Sequence, residues 1–557
     1  MRSTLSVQKS EVVTGGGMVT ALHPLAAEAG AAVLRDGGNA VDAAVTMAFA
    51  LAVVEPCMSG LGGGGAMVVY APDAGVQCTI DHNMRAPLSA SPAMFDLTPD
   101  AAPRGFYGWP AVRDDANIVG YQSMAVPGSV AGLCLGLERF GTIDLDQALR
   151  PAIALAEDGF PVDWALALHL TAAAREMHRF PGTTDIFFRD GFPLISEGAD
   201  GPDHLRQRDL ARTLTLLARH GPDVFYHGEI AERICSAMTA NGGLVKARDL
   251  AEYVPLMEKH GALPSYRGHP IVGVLKGSGS TTTLEMLKIL EQFPMAEFGH
   301  NSAAAARILA EVFNRGFVDR FSLIDNADPA NVPTERIWSQ DYAERMAAEI
   351  RRSEYLPDLK VPAAAPKRPG HTTHLSAVDR GRTSVALTQT LLSLFGSMVV
   401  IPETWIIMNN GMMWFDPRPG QANSIEGGKR CLSAISPLIL LDREQSLPYL
   451  VVGASGGRKI ITAVAQVISN VIDHGMGVQD AVAAARVHRE LGEILIDSRL
   501  GARLAPPLID QGYQVLVQEE TYASGHFALV SAIGFQRDTG TLHSGVEPLK
   551  YGMAIGV

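Results

Sequence analysis

Up to about position 350 apolar residues recur at three- and four-residue spacing, whereas beyond position 372 they alternate or gather in short runs. The first pattern predicts helices with one buried face, and the second predicts strands. Residues 23–34 and 39–54 read as two Ala-rich helices, with Gly37-Gly38 as the stop signal between them. The second is apolar on nearly every side and so must lie between other elements. Its longest apolar run, 43–54, is too short to span a bilayer. Further helices are predicted over 128–140, 147–158, 209–220, 229–241, 282–292, 303–321, 341–352 and 460–474. Short strands are predicted over 66–70, 398–401, 405–408, 438–442 and 449–453. Blocks of this kind predict sheets packed face to face with helices outside.

The period changes at His371-Thr372-Thr373-His374. A Pro-, Ala- and Lys-rich stretch, 361–370, ends there and can neither continue a helix nor join a central strand. A hairpin follows: a strand over 372–379 with Thr373, Leu375 and Ala377 on one face, the link Arg380-Gly381-Arg382, and a return strand over 383–390. Antiparallel register is fixed by the turn, so pairing Asp379 with Thr383 sets Thr372 opposite Thr390. Opposed Cβ atoms lie roughly 4.5–5.5 Å apart, within reach of a hydroxyl–hydroxyl bond. Thr372 so placed can attack the carbonyl of His371, pass through an ester, and become a new N-terminus whose α-amine is the base for its own hydroxyl. Two threonines in a strand are by themselves ordinary β propensity. The rest of the chain has to decide.

At 557 residues the chain exceeds a single ordinary core. With 47% hydrophobic and 19% charged residues it has the composition of a soluble globular protein. A net charge of −13 and a pI near 5.7 argue against nucleic acid or an anionic membrane as partner. Cys57, Cys78, Cys134, Cys235 and Cys431 show no CxxC and an odd count, which gives neither a disulfide framework nor a zinc site. No metal or cofactor is expected. The first ten residues lack an apolar signal core, so a cytoplasmic location is expected. Gly60-Leu61-Gly62-Gly63-Gly64-Gly65 matches a dinucleotide fingerprint literally, but it follows a helix and precedes a strand, the reverse of the required order. It reads instead as a turn that lets backbones approach closely beneath a site.

Several stretches then carry a family likeness: Gly37-Gly38-Asn39-Ala40-Val41-Asp42-Ala43-Ala44, the Gly60 to Gly65 loop, Pro127-Gly128-Ser129-Val130-Ala131-Gly132, Gly221-Pro222-Asp223-Val224-Phe225-Tyr226-His227-Gly228, Thr372-Thr373-His374, Asn409-Asn410, Leu432-Ser433-Ala434-Ile435-Ser436-Pro437 and Gly456-Gly457. In this order they resemble the γ-glutamyltransferase family of N-terminal-nucleophile hydrolases. The resemblance implies a four-layer αββα sandwich of α/β class, self-cleavage between His371 and Thr372, and one integrated fold built from a large chain (1–371) and a small chain (372–557). It implies catalytic roles for Thr372 as nucleophile, Thr390 as its support, and Gly456 and Gly457 as oxyanion-hole amides, each such donor being worth about 10²–10³ in rate.

The departures bear on substrate. Members that handle γ-glutamyl groups hold the α-carboxylate and α-amine with an Arg, an Asn, an acidic residue and a Ser pair. Here Asn83 stands at the Arg position with Arg85 two residues on, Leu392 replaces the Asn, Trp414 replaces the acid, and Ser433-Ala434 keeps one serine. These residues, with Asn410, are the substrate-binding candidates. Losing three charge-assisted bonds at roughly 1.5–3 kcal/mol each removes about 4–9 kcal/mol, or 10³–10⁶ in binding. The pocket is therefore expected not to hold an amino-acid zwitterion. Met412, Met413, Trp414 and Leu392 suit an apolar or small acyl group, as in the acylase and amidohydrolase branches, including oxamate amidohydrolase and cephalosporin acylase-like members. A γ-glutamyl hydrolase using Arg85, and an inactive binding protein of the same fold, are the alternatives.

Cleavage after His371 is expected to give chains of 371 and 186 residues, about 40 and 20 kDa of the 59.3 kDa total. Denaturing gel electrophoresis of active protein should show both bands, and Thr372→Ala should stay as one; a single band from active protein would exclude this maturation.

Overall fold

The computed structural model describes residues 7–98, 101–102, 108–261, 263–273, 276–324, 332–352, 370–421, 423–444 and 447–557. Two seven-stranded sheets form its centre. The first is ordered Met553–Gly556, Met18–Ala21, His371–Val378, Ser384–Leu392, Gly64–Ala71, Val76–Asp81, Leu256–Lys259; the second is ordered Val13–Thr14, Thr541–Val546, Leu529–Gln536, Pro448–Ser455, Leu438–Leu441, His269–Val272, Ser265–Tyr266. All neighbours in both are antiparallel.

Three apolar layers hold the sandwich. Between the sheets lie Met18, Val68, Val378, Ala386, Ile439 and Val451. Outside the first sheet the helices Pro24–Arg35 and Ala40–Val54 close over Leu375, Ala377, Val385 and Leu387. Outside the second, Gly279–Leu290, Ala303–Asp319 and Lys459–Ile472 cover Leu438, Leu440, Leu450 and Val452. This is the αββα arrangement expected. Every residue of Ala40–Val54 is buried, as its unbroken apolar surface requires. Its start is fixed by a capping box of Asn39 and Asp42. Asp42 is buried and also accepts from the Thr142 amide at 2.8 Å.

The expected helices appear within three residues of their ends. Among the helices not foreseen are the long Trp164–Met177 and Ser498–Asp510, and the C-terminal strands from Leu529 onward were not foreseen either. The strands expected over 398–401 and 405–408 shrink to Val400–Ile401 and Ile406–Ile407, which pair with each other outside the main sheets. Of the Pro-rich 361–370 stretch only Gly370 lies within the described residues. All five cysteines are free thiols, four of them buried. Among the described residues no helix is long and apolar enough to cross a membrane.

The glycine loop is a site of close backbone approach. A Cβ on Gly63 would stand 2.4 Å from the Thr390 carbonyl, and one on Gly65 2.2 Å from that of Thr388. Only glycine lets this loop lie against the return strand of the hairpin.

His374 is wedged between the sheets, where a Cβ on Gly453 would meet its ring at 2.3 Å. Its nitrogens face the hydroxyls of Thr388 at 2.8 Å and Ser376 at 3.1 Å. Burial pushes its pKa down to about 3, while the unfolded imidazole titrates near 6.5. Between those values the unfolded chain binds the extra proton, so this contribution to stability is whole above about pH 6.5 and falls with pH by up to about 1.4 kcal/mol per unit. Thermal midpoints should drop from pH 7 to 5, and His374→Gln should make the drop shallower by about one proton. An equal slope in the variant would rule out a neutral buried His374.

Candidate active site

The hairpin carries the candidate pair, Thr372 and Thr390. Its two strands are His371–Val378 and Ser384–Leu392, with Thr373 opposite Gln389 and Val378 opposite Ser384. At the turn the Asp379 amide donates to the Thr383 carbonyl at 3.0 Å, the pairing on which the predicted register rests. Odd-numbered residues of the first strand face the helices, and Thr372, His374 and Ser376 face the other sheet. The register shifts by one between Thr373 and His371, which pairs with Leu392. Thr390 and Leu391 thus together oppose Thr372, a bulge at the strand end of the kind found beside active sites.

The Thr372 hydroxyl donates to the Thr390 hydroxyl at 3.2 Å, and the Thr390 hydroxyl donates to the His371 carbonyl oxygen at 2.7 Å. The Leu392 amide donates to the same Thr390 oxygen at 2.8 Å. One hydroxyl thus touches the group that would attack and the carbonyl that would be attacked. Ser455, which sequence reasoning missed, donates its hydroxyl to the Thr372 carbonyl. The available signal was its position before Gly456-Gly457 at the end of a strand.

Gly456 and Gly457 make the turn from Pro448–Ser455 into the helix Lys459–Ile472, with φ of 140° and 63°. Gly370 lies directly on them: a Cβ there would stand 2.5 Å from the Gly457 amide nitrogen. The residues just before the cleavage bond therefore sit against the amides expected to receive an oxyanion.

The substrate-binding candidates divide. Leu392, Met412, Met413 and Trp414 share one buried apolar cluster with Met84, Ala125 and Phe415. Asn83 borders it, with its side-chain amide 3.5 Å from the Cys431 carbonyl. Asn410 is fully engaged elsewhere: it donates to the Ile118 carbonyl and the Ser393 hydroxyl, each at 2.8 Å, and accepts from the Ser393 amide at 3.1 Å. The Ser433 hydroxyl accepts from the Ile435 amide at 3.2 Å. Its backbone carbonyl takes a 2.8 Å bond from Arg320, a wholly buried residue that no sequence pattern marked. Arg85 extends to the Glu252 carbonyl at 3.3 Å, at an exposed edge. None of its described contacts joins it to Thr372 or the apolar cluster.

The titrating groups nearest the cleavage bond are kept neutral. Burial, with the charges of His169 and Lys550 adding to it, lowers the His371 imidazole to about 3. Burial raises the Glu55 carboxyl to about 8, the Thr373 hydroxyl beside it offsetting part of the rise. Among the described residues no group of three or more His, Cys, Asp or Glu is placed to hold a metal ion.

The gamma-glutamyltranspeptidase family model matches residues 26–557. The acylase ACY 1 proenzyme of Pseudomonas sp. (strain SE83) is 38% identical over 533 residues, 94% of this chain and 91% of that one. The glutathione hydrolase proenzyme of Escherichia coli (strain K12) is 35% identical over 488 residues, 85% of this chain and 81% of that one. Among solved structures, cephalosporin acylase from Bacillus halodurans superposes with a TM-score of 0.85 at 26% identity, covering 100% of this chain and 98% of that one.

Replacing Thr390 by valine keeps its shape and removes all three of its side-chain bonds. Self-cleavage of Thr390→Val should slow by about 10- to 200-fold, matching one bond of about 1.5–3 kcal/mol to a developing charge. Timed gels of freshly made protein measure this, and an unchanged rate would take Thr390 out of the reaction.

Proposed function

Given that the chain belongs to the gamma-glutamyltranspeptidase family, we propose that it is a self-processing amide hydrolase that works through an acyl-threonine intermediate on Thr372 and whose substrate is not glutathione. Proenzyme relatives support a mature form of a large and a small chain cut from one precursor. The observation that carries the reading is the hydrogen-bond chain from Thr372 through Thr390 to the His371 carbonyl.

Maturation follows from that chain. The Thr372 Oγ bonds to the His371 carbonyl carbon as its proton passes to Thr390, and Thr390 passes its own proton to the former carbonyl oxygen. Collapse breaks the His371–Thr372 C–N bond as the proton on the former carbonyl oxygen passes to the departing nitrogen, leaving His371 as an ester on Thr372 and a free amine on the same residue. Water then hydrolyses the ester to a His371 carboxyl and restores the hydroxyl. The proton relay passes through neutral hydroxyls, which suits a site where His371 is held uncharged.

Turnover repeats the chemistry with an external amide. The Thr372 α-amine takes the hydroxyl proton and returns it to the departing nitrogen, while the amides of Gly456 and Gly457 stabilise the oxyanion. A second water releases the acyl group as an acid. The reading places the acyl group against the buried cluster that holds Leu392, Met412, Met413 and Trp414. Such a cluster stabilises a compact apolar acyl chain and offers an α-ammonium no acceptor.

A site that makes no bond to a group cannot reject its absence. Glutathione and its counterpart lacking the α-amine should therefore be hydrolysed with kcat/KM within about tenfold of each other, and a simple aliphatic acyl amide should exceed both. A preference for glutathione above a hundredfold in steady-state assays would reinstate a γ-glutamyl hydrolase.

A further inference from the structure

A separate recess opens beside the cleavage bond, with Glu55, Cys57, Asp163, His169, Lys550 and Tyr551 among its walls. It reaches the reacting residues at three points. His169 receives the ring of His371 edge-on, with centroids 5.8 Å apart. Glu55 lies beside the Thr373 hydroxyl. Leu529 in its wall pairs with Ser455, whose hydroxyl holds the Thr372 carbonyl.

Its chemistry differs from that of the cluster around Leu392 and Trp414. Aromatic rings gather at its rim: Tyr551 meets His23 at 5.2 Å and Trp164 at 6.3 Å, and Tyr522 meets Trp164 at 5.2 Å, all edge-on. One Glu55 carboxyl oxygen is buried without a hydrogen-bond partner among the described residues. Asp163 is already bonded to His23 at 3.1 Å. Lys550 offers nothing to an anion, because its ammonium donates to the carbonyls of Thr521, Tyr522 and Ser524 at 3.3, 2.7 and 2.8 Å. Those bonds also fix the loop that presents Tyr522.

We propose that this recess is the subsite for the amine half of the substrate, and that it selects an amine carried on a flat, uncharged ring. The assignment rests on the amide-hydrolase reading above. An amide is planar and trans, so its two substituents leave the reacting carbonyl in opposite directions. With the acyl chain against Leu392 and Trp414, the nitrogen substituent points to the other side of Thr372. There the rim offers ring edges to a flat partner and Glu55 faces an N–H. The bonded state of Lys550 excludes an amino-acid carboxylate as the group recognised.

Calorimetry on the processed protein with aniline, and with methylamine as control, tests this without turnover. Aniline should bind at least tenfold more tightly than methylamine. Ala165→Trp, which fills the recess, should weaken aniline at least tenfold, and Tyr551→Ala should weaken it severalfold if the larger change disturbs folding. In parallel, the ratio of kcat/KM for an anilide to that for the methylamide of the same acid should fall at least tenfold in Ala165→Trp. Equal binding of the two amines by wild type, or unchanged binding and ratio in both variants, would overturn the subsite. Processed protein that binds aniline but hydrolyses no amide would instead overturn the proposed function.

Discussion

The Thr390 hydroxyl takes part in three hydrogen bonds at once, and the active centre depends on the strand register that puts it there. A slip of one residue would turn Thr390 toward the helices and bring Gln389 to face the other sheet. Two devices prevent that slip. The Asp379 carboxylate accepts from the Thr383 amide at 3.0 Å and from the Ala40 amide at 3.1 Å, which ties the hairpin turn to the start of the buried helix. On the other side, the glycine loop lies so close to the Thr388 and Thr390 carbonyls that no side chain fits between. The apolar helix, the glycine turn and the hairpin thus serve one placement.

Around that placement the histidines are held uncharged: the pKa values of half-buried His371 and buried His374 are pushed down, and the Glu55 carboxyl is raised by its surroundings. A neutral interior lowers the penalty of burying so many polar groups. Gly370 rests directly on Gly457, so the residue before His371 lies against the glycine pair proposed to serve the substrate.

Acylases and glutathione hydrolases both resemble this chain over most of its length, so the scaffold is common to both and the difference must lie in a few side chains. Here Leu392 and Trp414 lie in one buried apolar cluster, and the proposed preference for an apolar acyl group rests on that cluster. The Arg320 bond to the Ser433 carbonyl suggests how the remaining serine stretch keeps its shape without a charged ligand.

Local rules were enough to read the hairpin and its register, because Asp379 and Thr383 flank a short glycine-containing link and the count back to Thr372 and Thr390 follows from antiparallel pairing. They were also enough for the fully buried helix and the glycine turn, whereas the family came from the resemblance of whole motif stretches. The bulge that sets both Thr390 and Leu391 opposite Thr372 could not be read, since it arises where the strand end meets other parts of the chain. Nor could the fates of Arg85 and Asn410: a polar side chain is a possible ligand in sequence, and only neighbours such as Glu252 or Ser393 decide what it bonds. Ser455, Arg320 and the recess at Glu55 draw on segments tens to hundreds of residues apart. Periodicity and spacing report which face of an element is buried; what that face meets is set by packing over the whole fold.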